Sequence, residues 1–456
     1  MISLRTLSSL IFLLICILTL AEVFIFLPNS TEITATLICI FVAIEFTKIP
    51  LPQQISGLIL VVISIICGLV SNEWRSIILD GLARTSIFLV LFFAVTWLQF
   101  PVNDSPSLKA TRDHITSRDP RKRFLYLAFG VHALGSILNI AGLSLLTKVV
   151  KDAKNIEVKR RLSISLMLGF ASVSCWSPFF IGMIVVLMAL PGLKWEDFAV
   201  YGFLMSVFMI LGASYLDRIV HAKQKLNNEP TRVTKFSTII LIKSFSILLL
   251  LISITLSVVE IFQVNIPIAL TIVAPPFSLI WFAQQKVGKL KIFSASIKLV
   301  RMTITDLPRL RNEALVFGAA NMFGLGIASV LPQEDWSQTI NTVFPWADVK
   351  IILIIITMIL LSALGLHPVI TVISISTIFP PHLIGIDKII IALTFLGCWG
   401  LSTSMSPFSG TTLFMSRVTD TPPHQIGWYW MPILALPSTI IVAIFVIGLR
   451  NIIFQN

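Results

Sequence analysis

The chain has 456 residues, 56% of them hydrophobic and 12% charged, with a formal net charge of +12. Apolar runs recur along its whole length, which excludes a soluble globular domain and indicates a polytopic membrane protein. The Lys and Arg residues cluster in loops between apolar runs, so they report orientation in a bilayer and exclude the nucleic-acid partner that such a basic balance would suggest in a soluble chain.

The first apolar run, Leu7 to Leu27, resembles a signal peptide. It is long, carries Glu22 and lacks a small-residue cleavage site, so it reads as a retained first helix. Runs at 32–47, 54–71 and 84–102 follow. Cys16, Cys39, Cys67, Cys175 and Cys398 all lie in apolar runs without CxxC spacing, which predicts packed free thiols and neither a disulfide nor a zinc site. Basic residues then concentrate in 103–123 (six), 148–161 (six), 217–235 (five) and 286–313 (seven), 24 of the 34 in the chain. The other connections carry Glu73, Glu196, Asp197, Glu334, Asp335 and Asp348. The basic group is expected in the cytoplasm and the acidic group outside.

Only 124–147 separates the first two basic loops. Two full spans would need roughly 40 residues. Both loops stay on one face if this stretch is a re-entrant helical hairpin with its tip in the polar Gly135–Asn139 region; the alternative is one ordinary helix that violates the charge rule. Interrupted backbone at that depth survives only where protein or water surrounds it. Further runs lie at 162–190, 198–216, 237–259, 266–284, 314–331, 389–416 and 427–449, with a second candidate hairpin at 351–380 that breaks near Gly365, His367 and Pro368. The expected fold is an all-α polytopic membrane protein of about eleven transmembrane helices plus two re-entrant hairpins. Its segments are an N-terminal helix (1–31), a first repeat (32–216) with hairpin 124–147, a cytoplasmic linker (217–235), a second repeat (236–449) with hairpin 351–380, and an external tail (450–456). The N-terminus is then cytoplasmic, and the two repeats are inverted.

Two elements recur half a chain apart: VHALGSILNIAG (131–142) followed by SPFFIG (177–182), and LHPVITVISIS (366–376) followed by SPFSG (406–410). Proline at Pro178 and Pro407 breaks a helix, freeing carbonyls on the preceding half and N–H groups on the following one. Freed carbonyls with Ser or Asn oxygens suit a dehydrated cation, and helix N-termini suit an anion. Interrupted helices in inverted repeats are the pattern of secondary transporters with a midplane site. The candidate binding residues are Ser136, Asn139, Ser177 and Gly182 in the first half, and Thr371, Ser374, Ser406, Ser409, Gly410, Thr411 and Thr412 in the second. Aligning His132 with His367 pairs Ser136 with Thr371 and Asn139 with Ser374, whereas a rival register pairs Cys175-Trp176 with Cys398-Trp399. His132 and His367 are candidates for proton coupling, with packing or tip capping as the other reading.

These features together resemble the ion transporter superfamily, especially the divalent anion/sodium symporters. That family carries a contiguous Ser-Asn-Thr at each hairpin tip; the matching places here read Gly135-Ser136-Ile137-Leu138-Asn139 and His367-Pro368-Val369-Ile370-Thr371. The resemblance implies a homodimer with scaffold and transport domains, an elevator mechanism, and residence in the inner (cytoplasmic) membrane of a bacterium.

The function expected is secondary active transport of a small anionic, carboxylate-type solute, with sodium or protons as the coupling ion and no cofactor. No GxxxxGK[ST] loop occurs. With no carboxylate at the predicted midplane, sodium is preferred to protons. The rivals are an exporter or cation/proton antiporter of the same superfamily and, from another class, an intramembrane enzyme or a non-transporting assembly partner. HExxH, GxSxG and paired intramembrane aspartates are absent from the sequence, so no enzyme is expected.

Overall fold

The computed structural model describes residues 4–25, 27–110, 120–221, 238–285 and 289–453, and among these only helices, turns and connections occur, with no strand. Nine helices within the described residues are long and apolar enough to cross a membrane. The crossing expected at 162–190 is instead two shorter helices, Ile156–Ala171 and Ile181–Ala189, because the chain leaves helical geometry at Ser177-Pro178. Parts of the basic loops expected at 103–123, 217–235 and 286–313 lie outside the described residues.

The chain divides into two compact units, 1–106 with 245–332, and 107–244 with 333–456. Each unit draws one segment from each half of the sequence.

In the first unit, Leu4–Phe24, Ser30–Glu45, Leu51–Ser71, Trp74–Asp104, Ile266–Gln284, Lys289–Asp306 and Arg311–Val330 pack around Phe12, Phe41, Leu89, Phe93, Ile268 and Leu299. Thr271 Oγ1 donates to the Val90 carbonyl at 2.8 Å. A buried charged joint forms at Glu45, whose carboxylate accepts from Ser8 Oγ at 2.7 Å, Lys48 Nζ at 2.9 Å and Arg311 at 3.3 Å. A buried carboxylate persists when its lone pairs are occupied in this way.

In the second unit, Pro120–Leu138 turns back on itself at Asn139, which holds φ at +52°, and continues as Ile140–Leu146. The two arms touch: a Cβ on Gly142 would lie 2.6 Å from the Leu134 backbone. Next comes a broken helix, Ile156–Ala171 with a 3-10 extension Ser172–Cys175, then Ile181–Ala189, and then the helix Ala199–Val220. The bidentate Arg161–Asp217 pair, at 2.6 Å for its shortest contact, ties these last elements together. After residue 332, Gln333–Val343 meets Ala347–Ala363 at 110°. The chain reverses at Gly365 (φ +105°) into Pro368–Ile378. A second broken helix, Lys388–Met405 and Gly410–Thr419, precedes a π-helical turn Gln425–Trp430 and the helix Pro432–Ile453.

Candidate functional site

All the candidate residues fall in the second unit. The two Ser-Pro-Phe sequences occupy equivalent backbone positions. Ser177 and Ser406 each leave the helix while still donating an N–H to the carbonyl four residues back, Pro and Phe form the turn, and Phe180 and Ser409 cap the next helix with φ, ψ of −84°, 134° and −73°, 151°. A glycine on the following helix lies over each break. A Cβ on Gly202 would sit 2.1 Å from the Cys175 carbonyl oxygen, and one on Gly427 would sit 2.8 Å from that of Met405. Backbone thus covers carbonyls left without helical donors where each helix ends. The Cys-Trp register has no such support, since Trp176 adjoins its break while Trp399 lies inside the helix Lys388–Met405.

The histidines do not occupy equivalent places. His132 lies in the long arm of its hairpin, seven residues before Asn139, whereas His367 follows the turn at Gly365 and caps Pro368–Ile378. Aligning the two reversals, Asn139 with Gly365, puts the Ser-Pro breaks 38 and 41 residues downstream, closer than the 45 and 39 obtained from the histidines. Thr371 and Ser374 accordingly lie in the second arm, beyond the turn, and not at a tip.

At the first break Ser177 is fully buried and its hydroxyl donates to the Ser136 carbonyl, while accepting the Phe179 N–H at 3.3 Å. The Ser136 carbonyl has lost its helical donor to the turn at Asn139, so Ser177 satisfies it. Ser136 Oγ donates to the Ala133 carbonyl at 2.9 Å. The Asn139 side chain does not cap the helix after it. His132 has both ring nitrogens engaged: Nε2 accepts from Trp176 Nε1 at 3.0 Å, and Nδ1 lies 2.8 Å from Ser172 Oγ, whose proton goes to the Gly169 carbonyl. That pattern fixes the neutral Nδ1–H tautomer. The Trp176 carbonyl accepts from Trp195 Nε1 at 2.7 Å, so Trp195 closes the break. Gly182 faces the Trp399 indole, which a Cβ would approach to 2.7 Å. The N-terminus of Ile181–Ala189 is therefore packed shut.

The second break is arranged differently. Ser409 Oγ accepts the Thr412 N–H and donates to Thr412 Oγ1, both at 3.1 Å, and Thr412 Oγ1 reaches the Ser404 carbonyl at 3.2 Å. Gly410 is exposed, and a Cβ there would meet nothing within 4 Å. Ser406 and Thr411 are buried at 3% and 7% exposure, and neither hydroxyl has a hydrogen-bond partner among the described residues. Two unpaired hydroxyls thus flank an open helix N-terminus, whose N–H groups and positive dipole end favour an anion. Thr371 Oγ1 is also buried and unpaired, on a helix that packs against Ile181–Ala189, while Ser374 bonds back to the Ile370 carbonyl at 2.7 Å. Among the described residues no hydrogen bond joins either to the Ser406–Thr412 segment.

Several residues that shape the site were not singled out from the sequence: Ser172, Ser174, Gly202 and Gly427. The signal for the first two was a run of hydroxyl residues just before each proline, Ser172, Ser174 and Ser177 in one half and Ser402, Thr403, Ser404 and Ser406 in the other.

No protein-family description and no curated protein matches the chain in sequence. Solved structures do match. The YdaH transporter of Alcanivorax borkumensis, described as having an unusual topology, superposes with a TM-score of 0.54 at 11% identity, covering 88% of this chain and 98% of its own. MtrF of Neisseria gonorrhoeae, described among a class of antimetabolite efflux pumps, superposes with a TM-score of 0.55 at 12% identity over 89% of this chain and 95% of its own. At such identities the likeness establishes the fold: an all-helical, polytopic membrane architecture common to the three chains over most of their length.

Proposed function

We propose that the chain is a secondary active transporter of a small anionic, carboxylate-type solute. The observation that carries this reading is the open N-terminus at Gly410 with the unpaired Ser406 and Thr411 hydroxyls beside it, inside a helix break whose backbone course recurs at Ser177. A carboxylate would take the Gly410 and Thr411 N–H groups and the two hydroxyls. The two solved structures of like fold are both described as transporting proteins, which supports transport over catalysis.

Sodium is the preferred coupling ion. His132 is held neutral by Trp176 and Ser172, and the site offers hydroxyl and carbonyl oxygens, the ligands a dehydrated hard cation takes. Both breaks belong to the unit made of 107–244 and 333–456, so that unit would carry the solute in an elevator motion, with the other as scaffold in a homodimer. Inverted repeats would supply the two access states.

The test is a thermal-shift screen of the purified chain against carboxylates and inorganic anions, with sodium exchanged for choline. The proposal expects an anion whose stabilisation needs sodium; no stabilisation by any of them counts against it. A second reading, export by cation/proton exchange, draws on the description of MtrF as an efflux pump. It predicts that His132→Ala or His367→Ala abolishes pH-dependent activity while sodium has no effect.

A further inference from the structure

A groove of about 520 Å3 in the first unit, remote in sequence from both breaks, runs between Leu279 and the helix Lys289–Asp306, where Ile297, Val300 and Ile304 line it and Arg301 and Thr305 edge it. That helix has three faces. Ala295, Leu299 and Thr303 are buried against the unit. At helical spacing from them, Phe293, Ile297, Val300 and Ile304 form an apolar stripe whose first two members are 70% and 53% exposed. Beside that stripe lies a basic one with Lys298 and Arg301, both exposed. A soluble surface would not leave an apolar stripe uncovered next to a basic one, whereas the boundary between acyl chains and headgroups accommodates both.

The neighbouring helix Arg311–Val330 has 20 residues. At 1.5 Å per residue it spans the roughly 30 Å of hydrocarbon by itself. Lys289–Asp306 is thus free to sit at the membrane edge, in the segment where seven basic residues between 286 and 313 mark the cytoplasmic side. Lys298 and Arg301 form no ion pair among the described residues, and the helix's acid, Asp306, is taken by Arg309 at 3.2 Å. Arg5 adds a third cation at the groove's end, its guanidinium donating to the Thr305 carbonyl at 3.0 Å.

We propose that this groove seats an anionic glycerophospholipid of the cytoplasmic leaflet, an acyl chain lying along Leu279, Ile297, Val300 and Ile304 and the headgroup phosphate held by Arg301, with Lys298 and Arg5 nearby. The charge on the helix selects the anionic lipid, and the exposed Phe293 and Ile297 continue the groove into the surrounding tails.

The experiment uses the full-length chain, delipidated in a neutral detergent. Palmitoyl-oleoyl phosphatidylglycerol or phosphatidylcholine is titrated into the micelles, and the unfolding midpoint is followed together with the number of lipids retained in native mass spectrometry. Phosphatidylglycerol is expected to stabilise at lower mole fraction than phosphatidylcholine and to be retained. Arg301→Gln and Lys298→Gln are each expected to weaken its apparent affinity about fivefold without changing the lipid-free midpoint. Ile297→Asn is expected to lower retention of both lipids. Equal stabilisation by the two lipids, or wild-type phosphatidylglycerol affinity in the two glutamine variants, would overturn the proposal. So would full stabilisation by glycerol phosphate alone, which would make the groove a plain anion site.

Discussion

Gly400 in the second broken helix lies directly against Ala171 in the first: a Cβ on Gly400 would sit 2.0 Å from the Ala171 carbonyl oxygen. Ser174 straddles the same crossing, its hydroxyl donating to the Leu396 carbonyl at 2.7 Å and accepting the Gly400 N–H at 3.2 Å. The contact sets the spacing of the two breaks, because Trp399 beside it fills the space over Gly182 and stacks edge-on with His367 at 5.9 Å. Gly400→Ala is therefore expected to cost about 3 kcal/mol, since backbone must move to admit the methyl group. Reversible unfolding in mixed micelles reads this. Gly448→Ala, where a Cβ meets nothing, should be neutral or slightly stabilising.

The glycines over the breaks form a second matched pair. Gly202→Ala and Gly427→Ala should both lower transport per folded molecule. Gly202→Ala should be the more destabilising, because its Cβ would press to 2.1 Å on the Cys175 carbonyl against 2.8 Å at Met405. Flux normalised to the folded fraction by size-exclusion chromatography separates the two effects.

Ser177 and Ser406 stand at the same place in the two breaks and should behave differently. Ser177→Ala leaves the Ser136 carbonyl without its donor and should cost about 1–3 kcal/mol of stability. Ser406→Ala removes a hydroxyl with no partner, so stability should stay within about 0.5 kcal/mol, while anion affinity falls about five- to tenfold for one lost hydrogen bond. Thr371→Val, which removes an unpaired buried hydroxyl, should stabilise the ligand-free chain by about 1 kcal/mol. Thermal unfolding with and without the best anion from the screen distinguishes the three.

Glu45 provides a control in the other unit. Removing its carboxylate strands Arg311 and Ser8, so Glu45→Ala should cost about 3 kcal/mol. Anion affinity measured by thermal shift should be unchanged, because the partners of Glu45, namely Ser8, Lys48 and Arg311, all belong to the first unit.

How far these features were legible in the sequence follows from how local each cause is. The membrane class was legible because apolar runs answer only to bilayer thickness. The places where Pro178 and Pro407 interrupt helices were legible because a proline removes a donor wherever it stands. The distinction between a shut break and an open one was not, because it depends on Trp399 reaching Gly182 and on nothing reaching Gly410. The histidine alignment misled for a related reason. His132 and His367 are both near aromatic rings, at 5.9 Å from Trp176 and Trp399, but one belongs to a helix interior and the other to a cap. The division into units drawn from both halves was not legible either, since apolar helices of similar composition do not announce their neighbours.

The central claim is that solute moves through the break at Ser406–Thr411 under an ion gradient. The most direct measurement is flux of a radiolabelled carboxylate, chosen from the stabilisation screen, in proteoliposomes with an imposed sodium or proton gradient, comparing the native chain with Thr411→Val. The account predicts gradient-driven flux in the native chain and at least a fivefold loss of apparent affinity in the variant, about the worth of one hydrogen bond. Folded protein that gives no gradient-driven flux of any stabilising anion, or flux that Thr411→Val leaves untouched, would contradict it.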